Sequence, residues 1–151
     1  MTWSAQTGVP VVRLRVGGIY APDRLPEERL RAGRIRVLCP EDAPWSNRIH
    51  ADDLAACCIA AAERGRNGGL YNASDGHPTT MTDYFYRVAD CLGLPTPPCV
   101  RMEEAEAEGG LSPEMLSFVR ESRRLDNRRM REELGVQLRY PELEAGLCEK
   151  T

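Results

Sequence analysis

Few side chains of this sequence have both the type and the spacing to do chemistry. Asp52 and Asp53 are adjacent carboxylates, a pairing that can divide acid and base roles, but they stand at the start of a strongly helical stretch. There a negative charge interacts with the helix dipole and caps free N–H groups, and that is the expected role. The six cysteines, Cys39, Cys57, Cys58, Cys91, Cys99 and Cys148, form no C-x-x-C pair, and neither histidine, His50 or His77, has metal-ligand spacing to one of them. No metal site is expected, and the cysteines read as reduced, mostly buried thiols. Lys150 is the only lysine, so any mechanism needing a lysine in mid-chain is excluded. Arg120, Arg123, Arg124, Arg128, Arg129 and Arg131 form a basic run, but Glu121, Asp126, Glu132 and Glu133 interleave with it and no aromatic platform accompanies it. It reads as a solvated, ion-paired helix face rather than a nucleic-acid surface. Glu103, Glu104, Glu106 and Glu108 likewise read as a solvated loop.

The elements that must position these residues alternate in kind. Val9 to Val16 is rich in β-branched residues and predicts a strand, ended by Gly17 and Gly18. Pro26 to Ala32 predicts a short helix stopped by Gly33, and Arg34 to Leu38 a short strand. Residues 39–46 read as a loop. Asn47 to His50 leads into a helix from about Asp52 to Arg64, with Leu54, Cys57, Cys58 and Ala61 on its buried face. Leu70 to Ala73 predicts a strand. The helix from about Met81 to Leu92 has Thr80 and Asp83 as a capping box and Phe85, Val88, Ala89 and Leu92 as its apolar stripe. Glu103 to Gly110 reads as an exposed loop. Ser112-Pro113 opens a helix running to about Glu121, another runs from near Asp126 to Gly135, and a last one follows Tyr140-Pro141.

With 151 residues, ordinary composition and a formal net charge of -3, the chain is expected to be one globular unit with no general attraction to nucleic acid or membrane. No apolar run approaches the roughly 20 residues of a membrane span, and Met1 to Gln6 lacks the features of a signal peptide, so a cytoplasmic location is expected. Strands alternate with helices in the first half and helices dominate the second, so the expected class is α/β, grading into a small, mostly helical lobe.

Four segments, in order, carry a family resemblance. Val11 to Arg24, VVRLRVGGIYAPDR, is similar to a strand and turn written R-x-x-G-[IV]-Y-G-P-G. Asn47 to Ala55, NRIHADDLA, resembles F-I-H-V-D-D-[VL]-A, and Leu70 to Ser74, LYNAS, resembles Y-N-[VI]-[GA]. Arg123 to Leu147 resembles a terminal pattern of E-L-G, then Y-P, then G-L. Together they resemble the C-terminal part of the NAD-dependent epimerase/dehydratase family of extended short-chain dehydrogenases/reductases, in a branch with short substrate lobes. The resemblance implies the C-terminal portion of a Rossmann-like, NAD(P)-binding fold, with residues 1–93 as the rear of the sheet with interleaved substrate-lobe elements and residues 94–151 as a small, mostly helical substrate lobe and C-terminal tail. In that family a Gly-rich G-x-G-x-x-G turn holds the dinucleotide phosphates, and a Y-x-x-x-K pair moves a proton while hydride passes to or from nicotinamide.

Neither motif occurs here. None of Tyr20, Tyr71, Tyr84, Tyr86 and Tyr140 is followed four residues later by lysine. The expectation is a chain that begins after the catalytic helix, with no catalytic residue of its own. By resemblance Val16, Gly17, Gly18, Ile19 and Tyr20 lie beside the nicotinamide of NAD or NADP and the reacting carbon, while Arg48, His50 and Asn72 border the substrate. Ser46 stands where the family often has arginine, and Ala21 and Asp23 replace the glycines of G-P-G. Tight cofactor binding by this chain alone is not expected. In a complete enzyme the partner is a small metabolite with a hydroxyl or carbonyl group, sugar-like or otherwise. The alternative is a non-catalytic interaction module or truncated relic, in which the Val11 to Val16 strand pairs with a separate N-terminal half or a second copy.

Overall fold

The computed structural model describes residues 3–107 and 109–148; Glu108, Lys150 and the first two residues of the chain lie outside them. Among the described residues there are eight short strands: β1 Arg13–Val16, β2 Gly18–Tyr20, β3 Val37–Leu38, β4 Trp45–Ser46, β5 Arg48–His50, β6 Leu70–Ala73, β7 Thr79–Thr80 and β8 Cys99–Val100. The α-helices are α1 Trp3–Thr7, α2 Glu27–Arg31, α3 Ala51–Arg64, α4 Met81–Cys91, α5 Met102–Glu106, α6 Pro113–Val119, α7 Arg128–Glu132 and α8 Leu143–Leu147. Strand pairs are parallel for β1 with β6, β2 with β5 and β3 with β8, and antiparallel for β4 with β7. No helix among the described residues is long and apolar enough to cross a membrane.

The strand expected over Val9 to Val16 begins only at Arg13, because Pro10 has no N–H and the Val11 N–H donates to the Asn67 Oδ1 (2.9 Å) instead of to a ladder. Gly17 and Gly18 end β1 at Val16, as expected, and Gly18 opens a new strand, β2. They switch partners: Gly17 N–H donates to Ala73 O on the β6 side (3.0 Å) and Gly18 N–H to Asn47 O on the β5 side (2.7 Å). The loop expected over residues 39–46 closes in β4, whose register Trp45↔Thr80 and Ser46↔Thr79 unites segments far apart in sequence. The exposed acidic loop contains α5, because Ala105 is fully buried against Leu38 and Val119 and fixes one face of that segment.

Three apolar clusters hold these elements. Tyr20, Val37, Tyr84, Val88 and Leu143 form one, and Ile49, Cys57, Ala60, Tyr71, Met130 and Leu134 a second. The third joins Leu38, Met81, Ala105 and Val119. The buried face of α3 is Asp53, Cys57, Ala60 and Ala61; Cys58, expected on it, is exposed, because the face is centred on Cys57. Helix starts follow local chemistry: Thr80 accepts from Asp83 N–H (3.1 Å) and Ser112 from Met115 N–H (3.2 Å).

The cysteines depart from the expectation of reduced, mostly buried thiols. Cys91 at the end of α4 is bridged to Cys148, tying the C-terminal segment to that helix across a sequence separation of 57. Cys58 and Cys99 are exposed. The Cys39 thiol is pushed up to about 11, chiefly by its hydrogen bond with Cys99.

Candidate active site

At the C-terminal end of β1, where β2 and β5 begin, the chain opens a cavity of about 200 Å³. Val16, Gly17 and Gly18 line it from one side, and Arg48 from the start of β5. Trp45 of β4 and Phe118 of α6 complete its apolar wall; both are exposed large side chains. Four of the expected site residues are therefore brought together here.

The geometry explains both glycines locally. A Cβ on Gly17 would lie 3.0 Å from the Asn47 carbonyl oxygen, and one on Gly18 would lie 2.2 Å from a terminal nitrogen of Arg48. The close approach that favours glycine is made by the neighbouring strand and its arginine. Gly18 leaves the space in which the Arg48 guanidinium sits over the Tyr84 ring, 3.8 Å from its centroid. Burial pulls the Arg48 pKa below its usual value, with Tyr84 and Asp75 acting in the opposite sense. Its Nε is buried without a hydrogen-bond partner among the described residues.

Asp75 stands behind Arg48. Its backbone N–H donates to the Arg48 carbonyl (2.8 Å), and its Oδ1 accepts from His77 N–H (2.9 Å). Its Oδ2 is buried without a partner among the described residues. Burial pushes this carboxyl up to about 6, against the His77 N–H, the His77 ring and Arg48.

The other expected site residues lie elsewhere. Tyr20 and His50 face each other in the β2–β5 register and are buried in the core. The His50 ring stacks on Tyr140 (3.9 Å between centroids) and meets Tyr20 edge-on (5.3 Å). Its Nδ1 accepts from Asp52 N–H (3.1 Å), capping α3, and its Nε2 is buried without a partner among the described residues. Burial raises the Tyr20 phenol well above its usual pKa. Asn72 donates to the Asp126 carbonyl (3.0 Å) and does not line the cavity. Ile19 is 39% exposed and Val16 40% exposed, so the β1–β2 junction presents an open apolar strip.

Several contributors had no signature in the sequence. Asn47 accepts from Leu125 N–H (2.8 Å) and donates to the Arg123 carbonyl (3.0 Å), holding the segment that floors the cavity. Trp45, Phe118 and Tyr84 are ordinary aromatics until the fold gathers them. Met81 lines this cavity and also a second one of about 240 Å³, whose wall includes Ile35, Leu38, Phe85 and Met115.

The site fits one end of a dinucleotide. Val16 offers exposed apolar surface that a nicotinamide ring can cover, and Gly17 and Gly18 place no side chain beside it. The phosphates need a Gly-rich turn of backbone N–H groups, and the G-x-G-x-x-G pattern does not occur in the sequence.

No family model matches the sequence, and no curated protein matches it. Solved structures do. A functionally unknown conserved protein from Silicibacter pomeroyi is 36% identical, with a TM-score of 0.81 over 96% of this chain and 50% of that one. A nucleoside-diphosphate-sugar epimerase from Pseudomonas aeruginosa is 29% identical, with a TM-score of 0.73 over 95% of this chain and 47% of that one. A human epimerase family protein solved with NADPH is 21% identical and shares the fold, with a TM-score of 0.71 over 96% of this chain and 51% of that one. The chain thus spans about half the length of the structures it matches, and the half it matches is the C-terminal one.

Proposed function

We propose that this chain, which has the fold of the C-terminal half of the NAD-dependent epimerase/dehydratase proteins, forms the substrate side of a hydride-transfer site. The substrate is a small metabolite with a hydroxyl or carbonyl carbon, sugar-like or otherwise, and the place of action is the cytoplasm. Val16, Gly17, Gly18, Ile19 and Tyr20 form the wall against which nicotinamide rests. The first three do so directly; Tyr20, buried beneath them, holds the strand by donating to the Glu142 carbonyl (3.4 Å). NAD or NADP supplies the hydride acceptor or donor when bound. His50 and Asn72 support the substrate side through β5 and β6, and Arg48 faces the substrate directly. The acid/base pair and the phosphate cradle belong to polypeptide outside these residues, which is why the isolated chain is read as inactive.

One observation carries this reading. Arg13 and Gly17 direct their N–H groups to the β6 side, so the alternating Leu14 and Val16 N–H groups face away from it, and no described strand pairs there. A parallel strand belonging to a cofactor-binding half fits that edge, with the cavity at the C-terminal end of β1, the end at which open α/β sheets bind ligands. Supplying such a neighbour in one polypeptide and titrating it with NADH tests the reading. The same open edge favours a second reading, a non-catalytic module that pairs through β1 with another copy.

A further inference from the structure

Arg48 carries five N–H donors and no acceptor capacity. Among the described residues its guanidinium makes no hydrogen bond and no ion pair. Its contact is the Tyr84 ring, and its Nε is sealed from solvent. A desolvated cation with empty donors is costly, and the cost falls when an anion pairs with it. The surroundings carry the same sign. The charged residues lining the cavity are Arg15, Arg48, Glu121 and Arg123. Glu121 is engaged by Arg123 (3.1 Å), which leaves Arg15 and Arg48 without an ion pair among the described residues, although the field of the buried Asp75 reaches Arg48 from behind. Ser46, next to Arg48 across Asn47, donates its hydroxyl to the Thr79 carbonyl (3.0 Å) and is committed to the β4–β7 pair.

We propose that this cavity takes an oxyanion of its substrate, a carboxylate or a phosphate monoester, with Arg48 as the anchor, Tyr84 as the platform beneath the guanidinium and Gly18 as the gap that admits it. The planar fork of arginine matches both groups bidentately. The cavity volume of about 200 Å³ suits a small acid or phosphorylated metabolite; drug-sized ligands occupy roughly 300–1,000 Å³. This inference rests on the reading of the cavity as the substrate end of the site, and deepens it by naming the charge the substrate carries.

Trp45 lines the cavity, and the sequence has one other tryptophan, Trp3. A Trp3→Phe chain therefore reports on the site through Trp45 fluorescence. It is titrated with sodium glycolate and with sodium phosphate, against sodium chloride at matched ionic strength. Saturable change with glycolate, phosphate or both is expected, and the stronger of the two identifies the anion. Adding Arg48→Gln should weaken the response at least tenfold. Gly18→Ala keeps the charge but displaces the guanidinium, and should weaken it severalfold; it carries the test if Arg48→Gln does not fold by circular dichroism. A folded Trp3→Phe chain that responds to neither anion beyond chloride overturns the proposal, as does unchanged affinity in a folded Arg48→Gln or Gly18→Ala variant. The assay contains no nicotinamide, so its failure is separate from failure of the hydride-transfer reading.

Discussion

The carboxylate of Asp53 accepts the backbone N–H of Tyr140 (2.9 Å), and its other oxygen accepts that of Arg139 (2.8 Å). One buried side chain at the start of α3 thereby fixes the C-terminal segment that brings Tyr140 against His50. Removing the acceptor leaves two N–H groups unpaired. Asp53→Ala should lower the unfolding free energy by about 3 kcal/mol in urea titrations, and Asp53→Asn by less. Asp52→Ala, at an exposed neighbour, should cost only about 0.5 kcal/mol.

Gly146 of α8 sits in the same junction. A Cβ there would lie 2.8 Å from the His50 ring, 2.9 Å from the Tyr20 hydroxyl and 3.1 Å from the Tyr140 ring. All three rings are held by packing, so Gly146→Ala should destabilise the fold by about 1–3 kcal/mol, read as a lowered urea midpoint with an unchanged slope.

Asp75 gives the fold a pH dependence of defined sign. Burial raises its folded pKa from an ordinary 3.8 to about 6. The folded state then holds the proton more tightly than the unfolded state, so the stabilisation is full below about pH 4 and is lost as pH rises through 6. Asp75→Asn removes this titration while keeping an acceptor for His77 N–H. Relative to the parent chain, the variant should gain stability steadily between pH 4 and pH 7 in urea titrations. A parallel pH profile for the two proteins would contradict the assignment.

These features differ in how far the sequence exposes them. The Leu70–Ala73 strand, the Thr80 and Ser112 caps and the glycine stops at Gly33 and Gly135 depend on residues within one turn of each other, and local chemistry sets them. The β4–β7 pair, the Asp53 clamp and the Cys91–Cys148 bridge join residues far apart, and nothing in their local spacing announces a partner. The site divides in the same way. Val16, Gly17 and Gly18 sit on a legible strand end, and Arg48 follows from the resemblance that marks β5. The walls at Trp45, Phe118 and Tyr84 come into being only when three segments pack. Reading α3 by periodicity alone put Cys58 inside; the face rotates because Asp53 is drawn in to meet the Arg139 and Tyr140 N–H groups.

The open edge of β1 should make the isolated chain associate. Sedimentation velocity at rising concentration should reveal a growing dimer fraction, and Val16→Lys, which places a charge on that edge, should reduce it. A monomer at every concentration would remove the second-copy reading.

The central claim is that this chain contributes the substrate wall of a nicotinamide site whose phosphate cradle lies on other polypeptide. Its most direct test is a nicotinamide fluorescence titration, with NADH and NADPH, of two proteins: the chain alone, and a chimera in which the N-terminal half of the Silicibacter pomeroyi protein precedes it. The account predicts micromolar binding of one or both dinucleotides by the chimera and no saturable binding in that range by the chain alone. Micromolar binding by the chain alone, or a folded chimera that binds neither dinucleotide, would contradict it.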